Sequence, residues 1–137
     1  MYTDPRRLQV IVGAAILSDG RLLACARSGP PPVAGRWEFP GGKVEDGETE
    51  VEALIRECEE ELGVRVAVGG RIGEDVLLGN GAAVLKVYLA HLADDRVPQP
   101  YEHAELRWLT ADELDSVSWL PADAPIVAAL RPILEGR

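Results

Sequence analysis

The chain has few cysteines, few cationic residues and no apolar run of membrane-spanning length. Its two cysteines, Cys25 and Cys58, each lie in an apolar stretch. This favours two separate buried thiols in a reducing compartment, while a disulfide between them stays open. The net charge of -9 excludes a protein that coats nucleic acid, because like charges repel. A small anionic substrate is not excluded, since bound divalent cations reverse the local sign of charge.

The apolar segment at residues 8–17 follows two arginines, as the apolar core of a signal peptide would. It is too short to cross a membrane, and a Ser-Asp-Gly turn at residues 18–20 stands where a cleavage site would be needed. We therefore expect a β-strand in a cytoplasmic protein with no membrane partner. The length of 137 residues fits one domain over residues 1–137, long enough to bury its own core.

Turn residues divide the chain into short apolar strands and two helices. Strands are predicted at residues 8–17, 21–27, 64–68, 71–78, 82–92 and 104–109, and helices at 49–62 and 123–134. Residues 37–42 form a short extended piece, and residues 110–114 a helical turn. The strand at 82–92 is continuously apolar, which indicates a central place in the sheet. Strands mixed with two helices at unlike positions predict an α/β fold with the sheet sandwiched between helices.

The helix at 49–62 has clear start and stop signals. Thr49 with Glu52 three residues later forms a capping-box pattern, and Gly63 stands where the chain leaves the helix. Apolar residues recur at helical spacing and predict a buried stripe of Val51, Leu54, Ile55, Cys58 and Leu62.

Carboxylates crowd the second half of this helix. Glu57, Glu60 and Glu61 lie at positions i, i+3 and i+4 and share one face, while Glu59 lies about 200° around the helix from Glu57. Three carboxylates in one patch disfavour each other's ionised form. A solvated acidic face is the ordinary interpretation of a Glu-rich helix, but a cluster of hard oxygen ligands is also what Mg²⁺ or Mn²⁺ selects.

The spacing around these glutamates resembles the signature of the Nudix hydrolase family, Gly-x5-Glu-x7-Arg-Glu-U-x-Glu-Glu-x-Gly-U, in which U is apolar. Chance agreement at seven strict positions is on the order of 10⁻⁵ for a chain of this composition. Cys58 fills the first apolar position, a mild departure for a residue that buries well. The matching residues are Gly42, Glu48, Arg56, Glu57, Glu60, Glu61, Gly63 and Val64.

The resemblance implies an α/β/α sandwich with a mixed β-sheet and a catalytic loop-helix-loop that holds divalent metal, Mg²⁺ with Mn²⁺ as a substitute. It further implies that the pair of Arg56 and Glu48 holds the helix against the loop, a positional role that Gly42 and Gly63 share. The metal ligands implied by the signature are Glu57, Glu60, Glu61 and the main-chain carbonyl near Gly41.

Two further segments are similar to the MutT-type nucleoside triphosphate pyrophosphohydrolases of this family. They are residues 35–43, Gly-Arg-Trp-Glu-Phe-Pro-Gly-Gly-Lys, and residues 119–127, Trp-Leu-Pro-Ala-Asp-Ala-Pro-Ile-Val. The sequence lacks a zinc ribbon, an NADH-type motif and the proline that ADP-ribose enzymes carry after Gly63. The subgroup reaction turns a nucleoside triphosphate and water into a monophosphate and pyrophosphate, so a small-molecule partner and no nucleic acid are expected.

The subgroup resemblance also assigns roles outside the signature. Glu102 becomes a further metal ligand or a general base, or else an exposed loop glutamate. Arg27 and Lys43 face the phosphates, unless they are solvated surface charges. Phe39 lies against the nucleotide base, unless it is a core aromatic. The catalytic set is then Glu57, Glu60 and Glu102, with the general base open between the first and the last, and the oligomeric state open between monomer and homodimer.

The choice of base depends on Asp123, where 8-oxo-guanine enzymes of the subgroup carry asparagine. An ionised aspartate only accepts hydrogen bonds, which suits an amino group such as cytosine N4 and repels guanine O6. This favours (d)CTP or a modified form, with 8-oxo-dGTP as the alternative. A protonated Asp123 would undo the preference, and Asp123 capping the last helix would remove its role. A nucleotide-sensing module without hydrolysis and an enzyme for dinucleotides or sugar nucleotides are more remote.

Overall fold

A seven-stranded mixed sheet forms the centre of the protein in the computed structural model, which describes residues 8–79 and 81–136. The two arginines that precede residue 8 lie outside this part. The strands are β1 (Gln9–Ser18), β2 (Arg21–Ala26), β3 (Trp37–Glu38), β4 (Gly41–Lys43), β5 (Val66–Leu78), β6 (Ala83–Leu92) and β7 (Glu105–Leu109). The helices are α1 (Glu50–Leu62), α2 (Ala124–Leu134) and a 3₁₀ helix at Ala111–Ser116.

Strand β1 is the axis of the sheet. On one side it pairs in parallel with β6, from Gln9 opposite Ala83 to Ile16 opposite Ala90. On its other side it pairs with β4 along its first half and with β2 only at its end. These two pairs and all the other strand pairs described, apart from β1 with β6, are antiparallel. Because β4 enters this gap between β1 and β2, the chain that leads into α1 starts from the middle of the sheet.

The two α-helices cover opposite faces of the sheet. Successive residues of a strand point to opposite faces, and β1 follows this rule: Ala14 packs in the cluster with α1, and Ala15 in the cluster with α2. Leu54, Cys58 and Leu62 fill the first cluster from the α1 side, and Ile126 and Leu130 fill the second from the α2 side. The predicted α/β/α sandwich is confirmed, and β6 has the central place expected of it.

Helix α1 begins and ends where its sequence signals place it. Thr49 accepts a hydrogen bond from the Glu52 amide and the Glu52 carboxylate accepts one from the Thr49 amide, while Gly63 ends the helix at φ 68°. The predicted burial of Val51 is wrong, since its side chain is 39% exposed. None of the first three residues of α1 is buried, and the packed core begins at Ala53, so the first turn extends beyond it.

Two predicted strands, 64–68 and 71–78, are one strand in the structure, so the predicted break is wrong. The pairing of β5 with β6 shifts register between Val68 and Arg71 and again between Ile72 and Val76. Bulges of this kind absorb extra residues while the strand continues, and the two glycines at 69 and 70 fall at the first of them. The glycines that predict the end of one strand and the start of another instead mark a bulge within β5.

Both cysteines are buried and free, which confirms the prediction of separate thiols. Burial raises the pKa of both thiols, that of Cys58 to about 12. Among the described helices, none combines the length and the apolar composition needed to cross a membrane.

Candidate active site

The backbone of β4 brings the chain into contact with a carboxylate of α1. A Cβ atom on Gly41 would lie 1.9 Å from the Val12 carbonyl oxygen, and Gly41 has φ of 154°, so only glycine fits there. The Gly41 amide donates a hydrogen bond of 2.9 Å to Glu61 Oε2. At Gly42, a Cβ atom would lie 2.6 Å from the Glu57 carboxyl carbon. The two glycines therefore let main chain and carboxylates share one small space.

Glu61 is a buried carboxylate with a strongly shifted pKa. Its residue is 7% exposed, and burial raises the pKa to about 8, with the Gly41 amide opposing the shift and Glu57, Glu38 and Glu102 adding to it. Burial also raises the pKa of Glu57, against the effect of the Arg56 guanidinium. The ionised forms of these side chains are disfavoured without a further positive charge, which is the electrostatic condition of a cation site.

Arg56 donates hydrogen bonds to three glutamates and lies 3.8 Å from a fourth, Glu45. Its Nε and Nη2 donate to the two Glu48 oxygens at 2.7 and 3.0 Å, and its Nη1 donates to Glu57 at 2.8 Å and to Glu60 at 3.3 Å. Its Nη2 also donates to the main-chain carbonyl of Lys43 at 3.1 Å. The hydrogen bond from Arg56 lowers the pKa of Glu48 to about 2. The expected pair of Arg56 and Glu48 is thus present, and it ties α1 to the preceding loop.

A cavity of about 310 Å³, which we call the acidic cavity, brings most of the predicted carboxylates together. Glu60 is not among them: its side chain is 56% exposed and borders a separate surface depression. At helical pitch Glu60 and Glu61 lie about 60° and 40° to opposite sides of Glu57, so one points to solvent and the other into the fold. The lining residues are Arg27, Ser28, Gly29, Glu38, Glu57, Glu61, Glu102 and His103.

The carboxylates of this cavity fit a divalent cation in chemistry, although they are not packed around a point. Within the described residues, no three His, Cys, Asp or Glu side chains are already arranged as a metal centre. Mg²⁺ does not require this, since it is usually held by one or two carboxylates together with waters and substrate phosphates. The buried Glu61 beside Glu57 and Glu102 supplies hard oxygen donors and an unfavourable negative charge.

His103 and Glu38 are site residues that the sequence reasoning missed. His103 Nε2 lies 3.0 Å from Glu38 Oε2 and 3.9 Å from Glu61 Oε1, and the imidazole is 3% exposed. Its Nδ1 is buried without a hydrogen-bond partner in the described part of the chain. Glu38 receives a second hydrogen bond from Arg27 Nη1 at 3.1 Å. The one signal in the sequence is that His103 directly follows the predicted Glu102.

A second cavity of about 340 Å³, which we call the apolar cavity, adjoins the first and shares Arg27, Glu38 and Glu61 with it. Phe39 is 6% exposed and packs on Trp119 with ring centroids 5.5 Å apart, so it is both a core residue and a wall of this cavity. Lys43 lies at the edge with an exposed side chain. Further lining residues are Ile11, Gly13, Gly41, Gly42, Leu78, Leu85, Leu120, Ala122 and Asp123.

Asp123 is buried in the wall of the apolar cavity. It stands at the start of α2, but its side chain makes no capping hydrogen bond, so the alternative that it caps this helix is wrong. The residue is 5% exposed, and burial, followed by the nearby charge of Glu38, raises its pKa to about 7. Asp123 is therefore present in both protonation states near neutral pH.

The family of the chain follows from its similarity to known proteins. The NUDIX domain model matches residues 7–130. A Mycobacterium tuberculosis protein named "Putative 8-oxo-dGTP diphosphatase 2" is 47% identical over 131 residues, covering 93% of this chain and 92% of that protein. The CTP pyrophosphohydrolase of Escherichia coli is 34% identical over 128 residues, covering 93% of this chain and 94% of its own.

The fold agrees with this assignment. The solution structure of the Escherichia coli ORF135 protein superposes with a TM-score of 0.79 at 32% identity, covering 96% of this chain and 94% of that one. Nudix hydrolases generally use a divalent metal ion and act on small nucleotide substrates. The signature on α1, the mixed sheet and these similarities together show that the chain belongs to the Nudix hydrolase family, in its MutT-type branch.

Proposed function

We propose that the protein is a Mg²⁺-dependent nucleoside triphosphate pyrophosphohydrolase, with Mn²⁺ as a substitute, that produces a nucleoside monophosphate and pyrophosphate. The observation that supports this most is the junction of the two cavities. One is lined by carboxylates suited to metal, and the other by apolar side chains suited to a base. Arg27 borders both, as expected of a cation that binds phosphate groups between them.

The reaction proposed is an attack of water on the β-phosphorus. The water oxygen forms a bond to the β-phosphorus. The bond between the β-phosphorus and the oxygen that bridges the α- and β-phosphates breaks. The monophosphate leaves with the bridging oxygen, while pyrophosphate carries the oxygen of water. Glu57 or Glu102 would accept the proton of the water. Both would hold the ion together with Glu61 and the carbonyl of Gly41, and Glu60 would have to turn from its solvent-facing position to join them. When bound, Mg²⁺ would polarise the phosphate oxygens and lower the pKa of the attacking water.

We propose that the site accepts both candidate bases, cytosine and 8-oxo-guanine. An ionised Asp123 favours the cytosine amino group, but its pKa of about 7 leaves a large protonated fraction that donates a hydrogen bond to a guanine O6. The cytosine preference inferred from an ionised aspartate therefore loses part of its basis. The relatives divide in the same way, since one is named for 8-oxo-dGTP and another for CTP. We propose that (d)CTP and 8-oxo-dGTP are both substrates and that the ratio of their kcat/KM values depends on pH.

The deciding experiment is pyrophosphate release from a panel of nucleotides with Mg²⁺ and with EDTA. The panel contains CTP, dCTP, dGTP, 8-oxo-dGTP, ADP-ribose and a dinucleotide. We expect release from triphosphates only with metal, and in ¹⁸O-labelled water we expect the label in pyrophosphate. Binding without release would indicate a nucleotide-sensing module instead, and label in the monophosphate would contradict attack at the β-phosphorus.

A further inference from the structure

The segment that carries Glu102 is tied to the fold on both sides of that residue. On one side, the Gln99 amide donates to the Leu62 carbonyl at 2.9 Å and the Tyr101 amide to the Glu61 carbonyl at 3.2 Å. On the other side, the Ala104 amide donates to the Ala26 carbonyl at 2.9 Å. The segment thus connects the end of α1 with the end of β2, and Glu102 lies between the two attachments.

The side chains on either side of Glu102 also make specific contacts. The Tyr101 ring lies over Gly63, where an added Cβ atom would be 2.7 Å from the ring carbon Cε2. His103 turns inward, and its Nε2 reaches Glu38 Oε2 at 3.0 Å. The exposed Glu102 side chain between them borders the acidic cavity. Its position there follows from its two neighbours.

The unpaired Nδ1 atom indicates that His103 is not an ordinary core residue. The imidazole is 3% exposed, and this nitrogen has no hydrogen-bond partner among the described residues. A buried polar atom without a partner is unfavourable, whereas an apolar side chain of similar size would avoid the penalty. The contact between Nε2 and Glu38 is the feature that an apolar side chain would not provide.

Glu38 extends this contact to the phosphate side of the site. Its two oxygens have different partners: Oε2 faces His103 Nε2 at 3.0 Å, and Oε1 accepts from Arg27 Nη1 at 3.1 Å. Arg27 borders both cavities. If the hydrogen bond from His103 were lost, Glu38 would keep only its bond to Arg27, and the orientation of Arg27 would depend mainly on its Nε bond to the Gly29 carbonyl at 3.2 Å. One imidazole therefore connects the Glu102 segment with the guanidinium proposed to bind phosphate.

We propose that His103 is a positioning residue that fixes Glu102 in the acidic cavity and, through Glu38, orients Arg27 toward the phosphates. This rests on the proposed function. Loss of the contact should lower kcat through a misplaced Glu102 and raise KM through a loosened Arg27. A residue that only fills space would affect the stability of the fold and leave both kinetic constants nearly unchanged.

The test compares His103→Gln with His103→Asn. The amide nitrogen of glutamine reaches about as far as Nε2 and can donate to Glu38, while that of asparagine reaches only as far as Nδ1. We expect His103→Asn to lose about 10-fold to 100-fold in kcat/KM, as outer contacts of metal sites do, and His103→Gln to stay within about 3-fold of the unmodified protein. His91→Gln, at the exposed histidine of β6, is the matched control.

A double-mutant cycle tests whether His103 acts through Glu102. In a Glu102→Gln background, His103→Asn should lower kcat by a smaller factor than in the unmodified protein, because the residue it positions is already changed. Calorimetric titration of Mg²⁺ in the presence of a non-hydrolysable triphosphate analogue gives a readout independent of turnover. We expect weaker Mg²⁺ binding in His103→Asn than in His103→Gln.

Three results would overturn the inference. They are equal losses in the glutamine and asparagine variants with unchanged Tm, full additivity with Glu102→Gln, and unchanged Mg²⁺ binding in His103→Asn. If His103→Asn does not fold, Glu38→Gln takes its place, because it removes one of the two acceptors at Glu38 and should give the same loss. An unmodified protein that releases no pyrophosphate would instead contradict the proposed function.

Discussion

The two cavities of the site differ in how the chain builds them. The acidic cavity takes Glu57 and Glu61 from one turn of α1, and the main chain beside them comes from β4, no more than 20 residues earlier. The apolar cavity takes its walls from β1, the β3–β4 segment, β5, β6 and the segment before α2, with Glu61 from α1. Short-range spacing therefore determines the α1 carboxylates of the acidic cavity, whereas long-range packing determines the rest of that cavity and the side where the base is proposed to bind.

The site has two buried carboxylates, and their surroundings differ: Glu61 borders both cavities, and Asp123 borders only the apolar one. Glu61 accepts a hydrogen bond from the Gly41 amide and lies among three other carboxylates that raise its pKa further. For Asp123, burial is the main cause of the raised pKa, and the nearby charge of Glu38 adds to it. An accumulation of negative charge suits a divalent cation, whereas a single carboxyl group of intermediate pKa suits hydrogen bonding to a base.

The largest effect that distinguishes the two cavities is expected from a substitution of Glu57 on the acidic side. Glu57→Gln keeps the size of the side chain but removes a charge that the proposed metal requires, so kcat/KM should fall by about 1,000-fold for every nucleotide tested. Steady-state release of pyrophosphate measures it. Glu59→Gln, on the exposed opposite side of α1, is the control and should leave the rate unchanged. A loss restricted to one base would assign Glu57 to recognition instead.

A smaller effect on the acidic side is expected from Gly42→Ala. The added methyl group would lie 2.6 to 2.8 Å from the Glu57 carboxylate, which is the flexible end of a side chain and can move away. We expect kcat/KM to fall by about 30-fold while Tm changes little, because the carboxylate is displaced and the backbone is not strained. Gly70→Ala, where an added methyl group meets nothing within 4 Å, serves as the control. A large drop in Tm would contradict this explanation.

The buried charge of Glu61 predicts a stability effect that depends on pH. Its pKa is raised from 4.5 to about 8, so the folded state keeps a proton that the unfolded state has lost, and the free energy of unfolding decreases as pH rises through this window. In EDTA at pH 8, Glu61→Gln should be more stable than the unmodified protein by about 2 kcal/mol, with the difference disappearing near pH 5. Denaturant unfolding at both pH values measures it, and a variant that is less stable at pH 8 would contradict the burial argument.

The mildest change is expected on the apolar side, at Asp123. The kcat/KM ratio of dCTP to 8-oxo-dGTP should rise by about 10-fold between pH 6 and pH 8 in the unmodified protein, because ionisation of Asp123 near pH 7 removes a donor and leaves an acceptor. Asp123→Asn should make this ratio independent of pH and shift it toward 8-oxo-dGTP. Competition between the two nucleotides at each pH provides the measurement. An unchanged ratio in the variant would remove Asp123 from base recognition.

The sequence predicts the α1 side of the acidic cavity because the information that determines it is local. Thr49, Glu52 and Gly63 define the limits of α1, and the spacing of Glu57 and Glu61 determines their common direction. Glu60 shows the limit of this reasoning, since a shared face spans about 100° and only part of it turns into the cavity. The structure places Glu60 on the outer side, against Arg56.

The remaining features depend on contacts between distant parts of the chain. His103 meets Glu38 across 65 positions, and no local pattern indicates such a contact. The burial of Asp123, which changes its protonation state, follows from packing between the start of α2 and the sheet. The exposure of Val51 and the continuity of β5 depend likewise on where the core ends and on how bulges form. Such features have no counterpart in periodicity or spacing.

Arg56 gives the helix a counter-ion of its own. The guanidinium bonds to Glu48, Glu57 and Glu60, so part of the negative charge on α1 is balanced before any divalent ion arrives. A cation at the proposed site would therefore compete with the Arg56 guanidinium for Glu57. Metal uptake there would require Glu57 to rearrange beside a permanently charged group.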